Sequence, residues 1–449
     1  MLDKENIYFI GIGGIGMSAL ARYFKNRGKN VAGYDRVRTA LCQQLETEGM
    51  NLHYEDDLEQ IPESFKKKAK TTVIYTPAIP AEHAELNFFR KKGYDLIKRA
   101  NALGQIAQTH TCLAVAGTHG KTTTSTLLAH LFRDANQEVT AFLGGLSVNY
   151  QTNFWGGEDL KNLLIAEADE FDRSFLQLQP SGAIITSMDA DHLDIYGNSE
   201  ELQKTFRDFA RSIQQTPIIQ DQLDLPGQKY GFTESADFQA TNIRVEEHSY
   251  RFDLVTPYGL IENIKSGLPG RHNVENAVGA AALALEYGLK PEQVKAGIEN
   301  FKGVKRRFEY HIKTDRLVYI DDYAHHPAEI NALLTSVREL YPDHKITGIF
   351  QPHLYSRTRD FMDGFAQSLA KLDELILMDI YAAREKPLPG INAGVLLEKT
   401  DIVAKQHLST TDILTHFREN RRKKQVILTI GAGDIDQLVR PLKMVLLNG

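Results

Sequence analysis

The chain has 449 residues and a formal net charge of −6 at pH 7, and 42% of its residues are hydrophobic; this length predicts about three domains, and the charge argues against a nucleic-acid partner. No stretch reaches the ~20 apolar residues of a membrane-spanning helix, and the first residues lack the apolar segment of a signal peptide. Two cysteines without metal-ligand spacing favour a reducing compartment. We therefore expect a cytoplasmic protein with no membrane partner, and the sequence leaves open whether it forms a homodimer.

The first predicted element is a strand at 6–10, which leads into a glycine-rich turn and a helix. The turn fits the pattern G-x-G-x-x-G and comprises Gly11, Ile12, Gly13, Gly14, Ile15, Gly16, Met17 and Ser18. Such a turn directs backbone N–H groups and a helix N-terminus at a diphosphate. A second strand ends at Asp35, 19 residues after Gly16, where an acid can bond a ribose hydroxyl. By itself this pattern favours NAD(H) binding, with a glycine turn that binds nothing as the alternative.

A second glycine loop lies between an apolar strand at 112–116 and a helix that begins near residue 121. Its residues are Gly117, Thr118, His119, Gly120, Lys121, Thr122 and Thr123. Lys121 would hold terminal phosphates, and the Thr122 hydroxyl would ligate Mg²⁺. The full pattern G-x-x-x-x-G-K-[ST] has a glycine where this chain has Val115, so the loop is a shorter variant. The expected ligand is a magnesium nucleoside triphosphate.

Two later strands also end in polar residues. The strand at 163–166 runs into Glu167, Ala168, Asp169 and Glu170, and the strand at 182–185 runs into three acids around His192. Ligands of open α/β sheets gather at the carboxyl ends of strands. We therefore expect Glu167 to be a second Mg²⁺ ligand and His192 to bind a cation. A solvated acidic turn and a structural histidine are the alternatives.

An Ala-rich helix follows a region of alternating strand-like residues at 239–264. Asn273 and Asn276 lie on one face of this helix, although Asn273 could instead cap its N-terminus. The basic run from Lys305 to Arg307 ends the second region. It offers a cation to phosphate, and a solvated basic turn is the alternative.

The α/β alternation restarts at residue 317. Strands are predicted at 317–320, 345–350, 375–378 and 426–430. Polar residues follow the first three and Gly431-Ala432-Gly433 follows the last, which indicates a third α/β domain with its site at the carboxyl edge. The first of these strands precedes Asp321-Asp322-Tyr323-Ala324-His325-His326-Pro327. The adjacent histidines lack metal-ligand spacing because neighbouring side chains diverge.

In this order the motifs resemble those of the Mur ligase family over essentially the whole chain. The resemblance implies three α/β domains: an N-terminal Rossmann-like domain at 1–105 that binds a UDP-sugar, a central P-loop ATPase-like domain at 106–308, and a C-terminal Rossmann-like domain at 309–449 that binds an amino acid. It also implies that the first glycine loop and Asp35 bind the UDP of a nucleotide sugar rather than NAD(H).

The resemblance implies a ligase reaction that requires ATP and Mg²⁺. ATP phosphorylates the lactyl carboxylate of UDP-N-acetylmuramate to an acyl phosphate, and the amine of L-alanine attacks it. The implied metal ligands are Thr122, Glu167 and His192. The implied catalytic residues, which contact nucleotide, metal or phosphate, are Lys121, Glu167, His192, Asn273, Asn276, Arg307 and Asp322. The implied L-alanine contacts are Tyr323, His325, His353 and Arg357.

The chain departs from the family pattern at two positions near the implied amino-acid contacts. Related ligases often read His-Arg-Tyr where this chain has His353-Leu354-Tyr355, and glycine is common where it has Ala324. Rival interpretations are family members that attach another amino acid or a peptide, and folate or cyanophycin-type ligases. A dehydrogenase would leave Lys121, Glu167 and His192 without a function, and an ATP-dependent switch would leave the first glycine loop without one.

Overall fold

The computed structural model describes residues 2–156, 163–189, 196, 198–383, 385–420 and 424–448, with only the backbone of Asp172. His192, predicted to bind a metal, lies outside the described residues. The chain divides into two units. The first comprises Met1–Thr241, Leu254–Glu262 and Glu275–Phe301, and the second comprises Asn242–Asp253, Asn263–Val274 and Lys302–Gly449.

The first sheet surrounds the first glycine turn. Its strands are β1 (Asn6–Ile10), β2 (Asn30–Tyr34), β3 (Asn51–His53), β4 (Thr71–Tyr75) and β5 (Asp95–Lys98). Its helices are α1 (Ile15–Asn26), α2 (Ala40–Thr47), α3 (Ala84–Lys91) and α4 (Arg99–Ala107), with a 3₁₀ helix at Lys68–Lys70. The strands are parallel in the order β3-β2-β1-β4-β5. The glycine turn therefore follows the central strand, where the strand order reverses and ligands of such sheets bind.

The second sheet supports the second glycine loop. Its strands are β6 (Thr111–Ala116), β7 (Val139–Phe142), β8 (Phe154–Trp155), β9 (Leu163–Ala168), β10 (Gly182–Ile185), β11 (Ile218–Gln220), β12 (Gln228–Gly231), β13 (Phe238–Glu246), β14 (Ser249–Thr256) and β15 (Gly259–Lys265). The helices are α5 (Lys121–Asp134), α6 (Ser199–Ser212), α7 (Arg271–Glu286) and α8 (Pro291–Asn300), with a 3₁₀ helix at Phe171–Gln177. The order is β15-β14-β13-β12-β11-β10-β6-β9-β7-β8. Because β6 is parallel to both β9 and β10, the carboxyl ends of these three strands lie at one edge.

The third sheet belongs to the second unit. Its strands are β16 (Glu309–Lys313), β17 (Leu317–Asp322), β18 (Lys345–Phe350), β19 (Glu374–Leu377), β20 (Lys405–His407) and β21 (Gln425–Ile430). The helices are α9 (Pro327–Leu340), α10 (Tyr355–Asp360), α11 (Met362–Leu369), α12 (Ala393–Lys399), α13 (Thr410–Glu419) and α14 (Asp436–Leu447). The order is β16-β17-β21-β18-β19-β20, and only the β16–β17 pair among these is antiparallel. The loops after β17 and β18 leave the sheet at its carboxyl edge.

The structure confirms the three α/β regions expected from the sequence. Central strands such as β1, β6 and β21 are almost wholly buried, which explains why they appear in the sequence as unbroken apolar runs. The N-capping alternative for Asn273 is wrong, because α7 begins at Arg271 and Asn273 lies inside it. The domain limits stay a prediction; residue 105 lies within α4, and residue 308 directly precedes β16.

Among the described residues, the search for a helix of sufficient length and hydrophobicity to cross a membrane found none.

Candidate active site

The second glycine loop runs from the end of β6 to the first turn of α5. Gly117 and Gly120 have φ values of +140° and +79°, which favour glycine. A Cβ atom on Gly117 would lie 2.1 Å from Oγ1 of Thr186, and one on Gly120 would lie 2.6 Å from Oδ1 of Asn276. Neither position can accept a side chain, so backbone conformation and close packing both require these glycines. The predicted contact residue Asn276 thus lies directly against the loop.

The residues after β10 hold the loop from the other side. Oγ of Ser187 accepts a hydrogen bond of 2.7 Å from the backbone N–H of His119 and lies 2.9 Å from Oγ1 of Thr118. The backbone N–H of Asp189 donates to the same threonine oxygen at 3.0 Å. The segment after β10, in which the sequence predicts the ligand His192, therefore contacts the glycine loop through Ser187 and Asp189.

Lys121 forms a buried ion pair at the start of α5. Its Nζ atom lies 2.8 Å from Oε2 of Glu170 and donates a 2.6 Å hydrogen bond to the carbonyl of Gly117. Burial lowers the pKa of Lys121, but the charges of Glu170, Glu167 and Asp169 outweigh this effect and the net pKa is raised. Lys121 is therefore cationic at neutral pH and is held at the loop before any phosphate arrives.

Glu170 is a residue whose importance the sequence did not single out. Among the four acids at and after the end of β9, the sequence predicts Glu167 as the metal ligand, yet the ion-pair partner of Lys121 is Glu170, whose side chain is almost fully buried. A carboxylate two residues beyond the end of β9 is not distinguished by spacing alone. The acidic run does indicate that one of its carboxylates pairs with Lys121, because a buried lysine at a phosphate loop needs an opposite charge nearby.

Glu167 occupies the position expected of a metal-facing carboxylate. It lies on β9 in register with Val115 of β6, two residues before the glycine loop. A Cβ atom on Gly144 would lie 2.1 Å from Oε2 of Glu167, so the carboxylate occupies a space that exists only because residue 144 has no side chain. A carboxylate oxygen and the hydroxyl of Thr122 are hard oxygen donors, which Mg²⁺ prefers. The chemistry of these two side chains suits Mg²⁺, and their binding of the ion stays a prediction.

The first glycine loop is supported from within by Asp35. The backbone N–H of Gly13 donates a 2.7 Å hydrogen bond to Oδ2 of Asp35. A Cβ atom on Gly13 would lie 2.4 Å from Sγ of Cys42, and Gly11 has φ +88°. The loop is thus closely packed at its base, and Asp35 fixes its shape. A contact of Asp35 with the nucleotide stays a prediction.

The remaining predicted residues of this loop form the start of α1. Gly14 is the N-cap residue, and Met17 and Ser18 are buried. Oγ of Ser18 donates a 2.9 Å hydrogen bond to the carbonyl of Ile15. These side chains therefore support the helix N-terminus that would face a diphosphate.

In the second unit, Asp322 anchors the chain on both sides of β17. Its Oδ2 accepts from the backbone N–H of Phe308 at 2.7 Å, and its Oδ1 accepts from that of Ala324 at 2.8 Å. Burial raises the pKa of Asp322 to about 6, partly opposed by the charge of Arg307. Asp322 thereby fixes the segment that presents Arg307.

Glu329 connects two of the predicted contacts. Its Oε2 accepts a 2.9 Å hydrogen bond from the backbone N–H of His325, and its Oε1 lies 4.0 Å from Nη1 of Arg307. The Arg307 guanidinium lies 4.8 Å from the centre of the Tyr323 ring. Sequence reasoning missed Glu329, although it follows His325 by four residues in the first turn of α9, where an acid is favourable.

His325 is neutral at physiological pH. Burial lowers its pKa to about 4, against the opposing charge of Glu329. Its Nδ1 lies 3.0 Å from the carbonyl of Tyr323. Because a carbonyl only accepts, the neutral ring carries its proton on Nδ1, which leaves Nε2 as an acceptor.

The loop after β18 brings the last two predicted contacts to the same region. The His353 ring centroid lies 6.2 Å from that of His325 and stacks on Tyr381 at 5.7 Å. Arg357, in α10, acts on the pKa of His325 through its charge. Between them, Leu354 has φ +71° and ψ 138°, a conformation that costs a residue with a side chain about 1–3 kcal/mol. The structure thus places Tyr323, His325, His353 and Arg357 around one part of the second unit.

Two residues at the start of α7 also lie in the second unit. Burial lowers the pKa of His272 to about 4, and its Nδ1 has no hydrogen-bond partner among the described residues. Nδ2 of Asn273 donates a 2.6 Å hydrogen bond to the carbonyl of Pro269. Asn273 therefore stabilises the helix entrance, and its contact with nucleotide stays a prediction.

Comparison with protein families covers most of the chain. Residues 6–111 match the Mur ligase family catalytic domain, residues 115–284 match the Mur ligase middle domain, and residues 306–433 match the Mur ligase glutamate ligase domain. The three matches follow one another in the same order as the three sheets.

Full-length relatives agree with this result. The chain is 48% identical over 447 residues to the UDP-N-acetylmuramate--L-alanine ligase of Christiangramia forsetii, covering 99% of this chain and 98% of the relative. It is 47% identical to the enzyme of the same name from Parabacteroides distasonis, covering 98% and 97%. The crystal structure of UDP-N-acetylmuramate-alanine ligase MurC from Thermotoga maritima superimposes with a TM-score of 0.82 at 25% identity, over 99% of both chains. The chain therefore belongs to the Mur ligase family.

Proposed function

We propose that this chain is an ATP-dependent ligase that joins L-alanine to the lactyl carboxylate of UDP-N-acetylmuramate, a step in the synthesis of peptidoglycan precursors. The observation that supports this most strongly is the similarity over the full length to ligases of that name, at 48% identity and 99% coverage. The buried Lys121–Glu170 pair at a glycine loop adds the chemistry of phosphate binding. We place the reaction in the cytoplasm, because Cys42 and Cys112 are free thiols, as is usual in a reducing compartment.

The first step is transfer of a phosphoryl group from ATP to the lactyl carboxylate. Such a transfer depends on positioning and charge neutralisation more than on covalent chemistry. Lys121 exchanges part of its contact with Glu170 for the terminal phosphates, and loop N–H groups orient them. Thr122 and Glu167 would hold Mg²⁺, which neutralises charge that develops on the phosphate oxygens when it is bound. His192 is proposed as a further ligand.

In the second step the unprotonated amine of L-alanine attacks the carbonyl carbon of the acyl phosphate. The new C–N bond replaces the C–O bond to phosphate, and inorganic phosphate and a proton are released. The guanidinium of Arg357 binds the α-carboxylate of L-alanine, since this pair forms charge-assisted hydrogen bonds. The unprotonated Nε2 of His325 accepts a hydrogen bond from the amine of L-alanine and so orients it toward the acyl phosphate, since burial lowers the pKa of the ring to about 4 and keeps it neutral. Tyr323 and His353 border the same place.

The test is a phosphate-release assay with purified protein. Release is expected only when ATP, Mg²⁺, UDP-N-acetylmuramate and L-alanine are all present, with one phosphate for each amide bond formed. Release that is unchanged without the nucleotide sugar, or turnover of NAD(H), would overturn the proposal. A panel of amino acids in the same assay tests the substrate, and faster release with any other amino acid or peptide would reassign it.

A further inference from the structure

Arg99 lies between the first glycine loop and the acidic turn that pairs with Lys121 of the second loop. It is the first residue of α4 and directly follows β5, so it lies at the carboxyl edge of the first sheet. Its Nη2 atom is 3.0 Å from Oδ2 of Asp169. A Cβ atom on Gly16 would lie 2.8 Å from its Nη1. One guanidinium therefore contacts the acidic run after β9 and lies against the last glycine of the first loop.

Asp169 connects Arg99 with the phosphate loop. Its Oδ1 accepts a 3.1 Å hydrogen bond from the backbone N–H of Phe171, which shapes the turn that contains Glu170. Glu170 in turn binds Lys121 through both carboxylate oxygens, at 2.8 and 3.0 Å. The contacts thus run without a break from Gly16 through Arg99 and this turn to Lys121.

Stability does not account for an arginine at this position. A cation in the first turn of a helix interacts unfavourably with the helix dipole. The Arg99 and Asp169 side chains are 21% and 36% exposed, and an ion pair that solvent reaches contributes only about 0–1 kcal/mol to folding. By contrast, a partly accessible guanidinium beside the N-terminus of α1 suits an anion bound there.

We propose that Arg99 is a positioning residue that couples the two glycine loops. With Nη2 on Asp169, its Nη1 reaches an anionic group of the sugar nucleotide at Gly16, so occupancy of the first loop stabilises the turn that holds Glu170 and Lys121. Coupling between sites is reciprocal, so nucleotide in the second loop increases affinity for the sugar nucleotide by the same factor. This inference rests on the proposed function.

The coupling can be measured by calorimetry on the full chain. UDP-N-acetylmuramate is titrated with and without a saturating, non-hydrolysable ATP analogue and Mg²⁺. We expect the analogue to increase affinity for the sugar nucleotide about fivefold or more in the unmodified protein, and to leave it unchanged in Arg99→Met. Arg99→Lys should retain part of the effect, because its charge reaches one partner but not both.

Two further variants separate coupling from folding. Asp169→Asn should abolish the coupling as Arg99→Met does, and the double variant should lose no more than either single variant. Arg211→Met removes an exposed arginine paired with Asp208 at 3.1 Å and should leave the coupling intact. A purely structural role would lower the melting temperature of Arg99→Met while the affinity ratio persists.

Two outcomes would overturn the inference. One is a ratio near one in the unmodified protein, and the other is an undiminished ratio in Arg99→Met. Absence of any binding of UDP-N-acetylmuramate to the unmodified protein would instead refute the proposed function, and the inference with it.

Discussion

Lys121 and Glu170 form an ion pair inside the protein, with Nζ 2.8 Å from Oε2 and with little of either side chain exposed. The lysine expected to bind phosphate is thus already neutralised by a carboxylate. A phosphate must compete with Glu170 for it, so the pair sets both the stability of the loop and the position of the cation.

We expect Glu170→Gln to destabilise the first unit by about 3 kcal/mol, because it leaves Lys121 with a buried and uncompensated charge. The measurement is urea unfolding followed by the fluorescence of Trp155, the one tryptophan of the chain, which packs on Tyr150 at 4.9 Å. Glu201→Gln is the control, because this half-exposed carboxylate has only loose ion pairs, at 3.7 and 3.8 Å, and the variant should unfold within about 1 kcal/mol of the unmodified protein. Equal unfolding of all three would show that the pair contributes nothing.

Gly120→Ala should reduce ATP affinity by tenfold or more, because its Cβ would meet Oδ1 of Asn276 at 2.6 Å and its φ is +79°. Gly288→Ala is a matched control with φ +93° and nothing within 4 Å of its Cβ. It should cost only the ~1–2 kcal/mol of a left-handed residue and leave ATP affinity unchanged. Calorimetric titration with ATP measures both, and a normal affinity in Gly120→Ala would contradict the prediction.

His272 should make the second unit sensitive to acid. Burial lowers its folded pKa to about 4 from 6.5, so the stability that it contributes is fully present above pH 6.5 and is lost as the pH falls toward 4. This loss amounts to about 3 kcal/mol. His272→Gln should remove it, which would appear as a smaller shift of the urea midpoint in circular dichroism between pH 7 and pH 4.5.

Asp322 should affect the pH dependence of stability in the opposite direction to His272, so it serves as a control. Its folded pKa is raised to about 6, so the stability that it contributes is present below its unfolded value near 3.8 and is lost as the pH rises through 6. Asp322→Asn should therefore make the protein lose more stability on acidification than the unmodified chain. If the stability of His272→Gln and of Asp322→Asn depended on pH as that of the unmodified protein does, neither group would titrate as described.

Arg357→Lys should raise the KM for L-alanine about tenfold, because a lysine cannot form the paired hydrogen bonds of a guanidinium with a carboxylate. The KM for ATP should not change. Arg359→Lys, two positions further along the chain, alters an exposed arginine paired with Asp360 and serves as the control. A rise in the KM for ATP in place of that for L-alanine would place Arg357 at a nucleotide instead.

The sequence predicts the sheets well because the central strands are parallel and buried. Their apolar runs end in glycine or polar residues, and the order of runs and loops leaves little freedom in the topology. The importance of Gly117 and Gly120 is also predictable, because the loop motif requires glycine where the backbone has positive φ and the packing is close.

Side-chain partners were harder to predict. The choice between Glu167 and Glu170 depends on the turn after β9, and a difference of three residues decides which carboxylate meets Lys121. Asp35 illustrates a similar limit. The spacing that indicates a hydrogen bond to a ribose hydroxyl also suits a carboxylate that accepts a hydrogen bond from the backbone N–H of Gly13. Sequence alone does not distinguish these two functions.

Leu354 has a consequence for the engineering of this enzyme. Its left-handed backbone costs about 1–3 kcal/mol in the loop that joins His353 to α10. Leu354→Gly would release this strain, and the greater freedom of glycine in the unfolded chain would offset part of the gain in stability. Its backbone N–H donates a 2.9 Å hydrogen bond to the carbonyl of Tyr381, so the strained residue is also an anchor between His353 and Arg357. Relaxing this loop would therefore loosen the placement of the two side chains on either side of it.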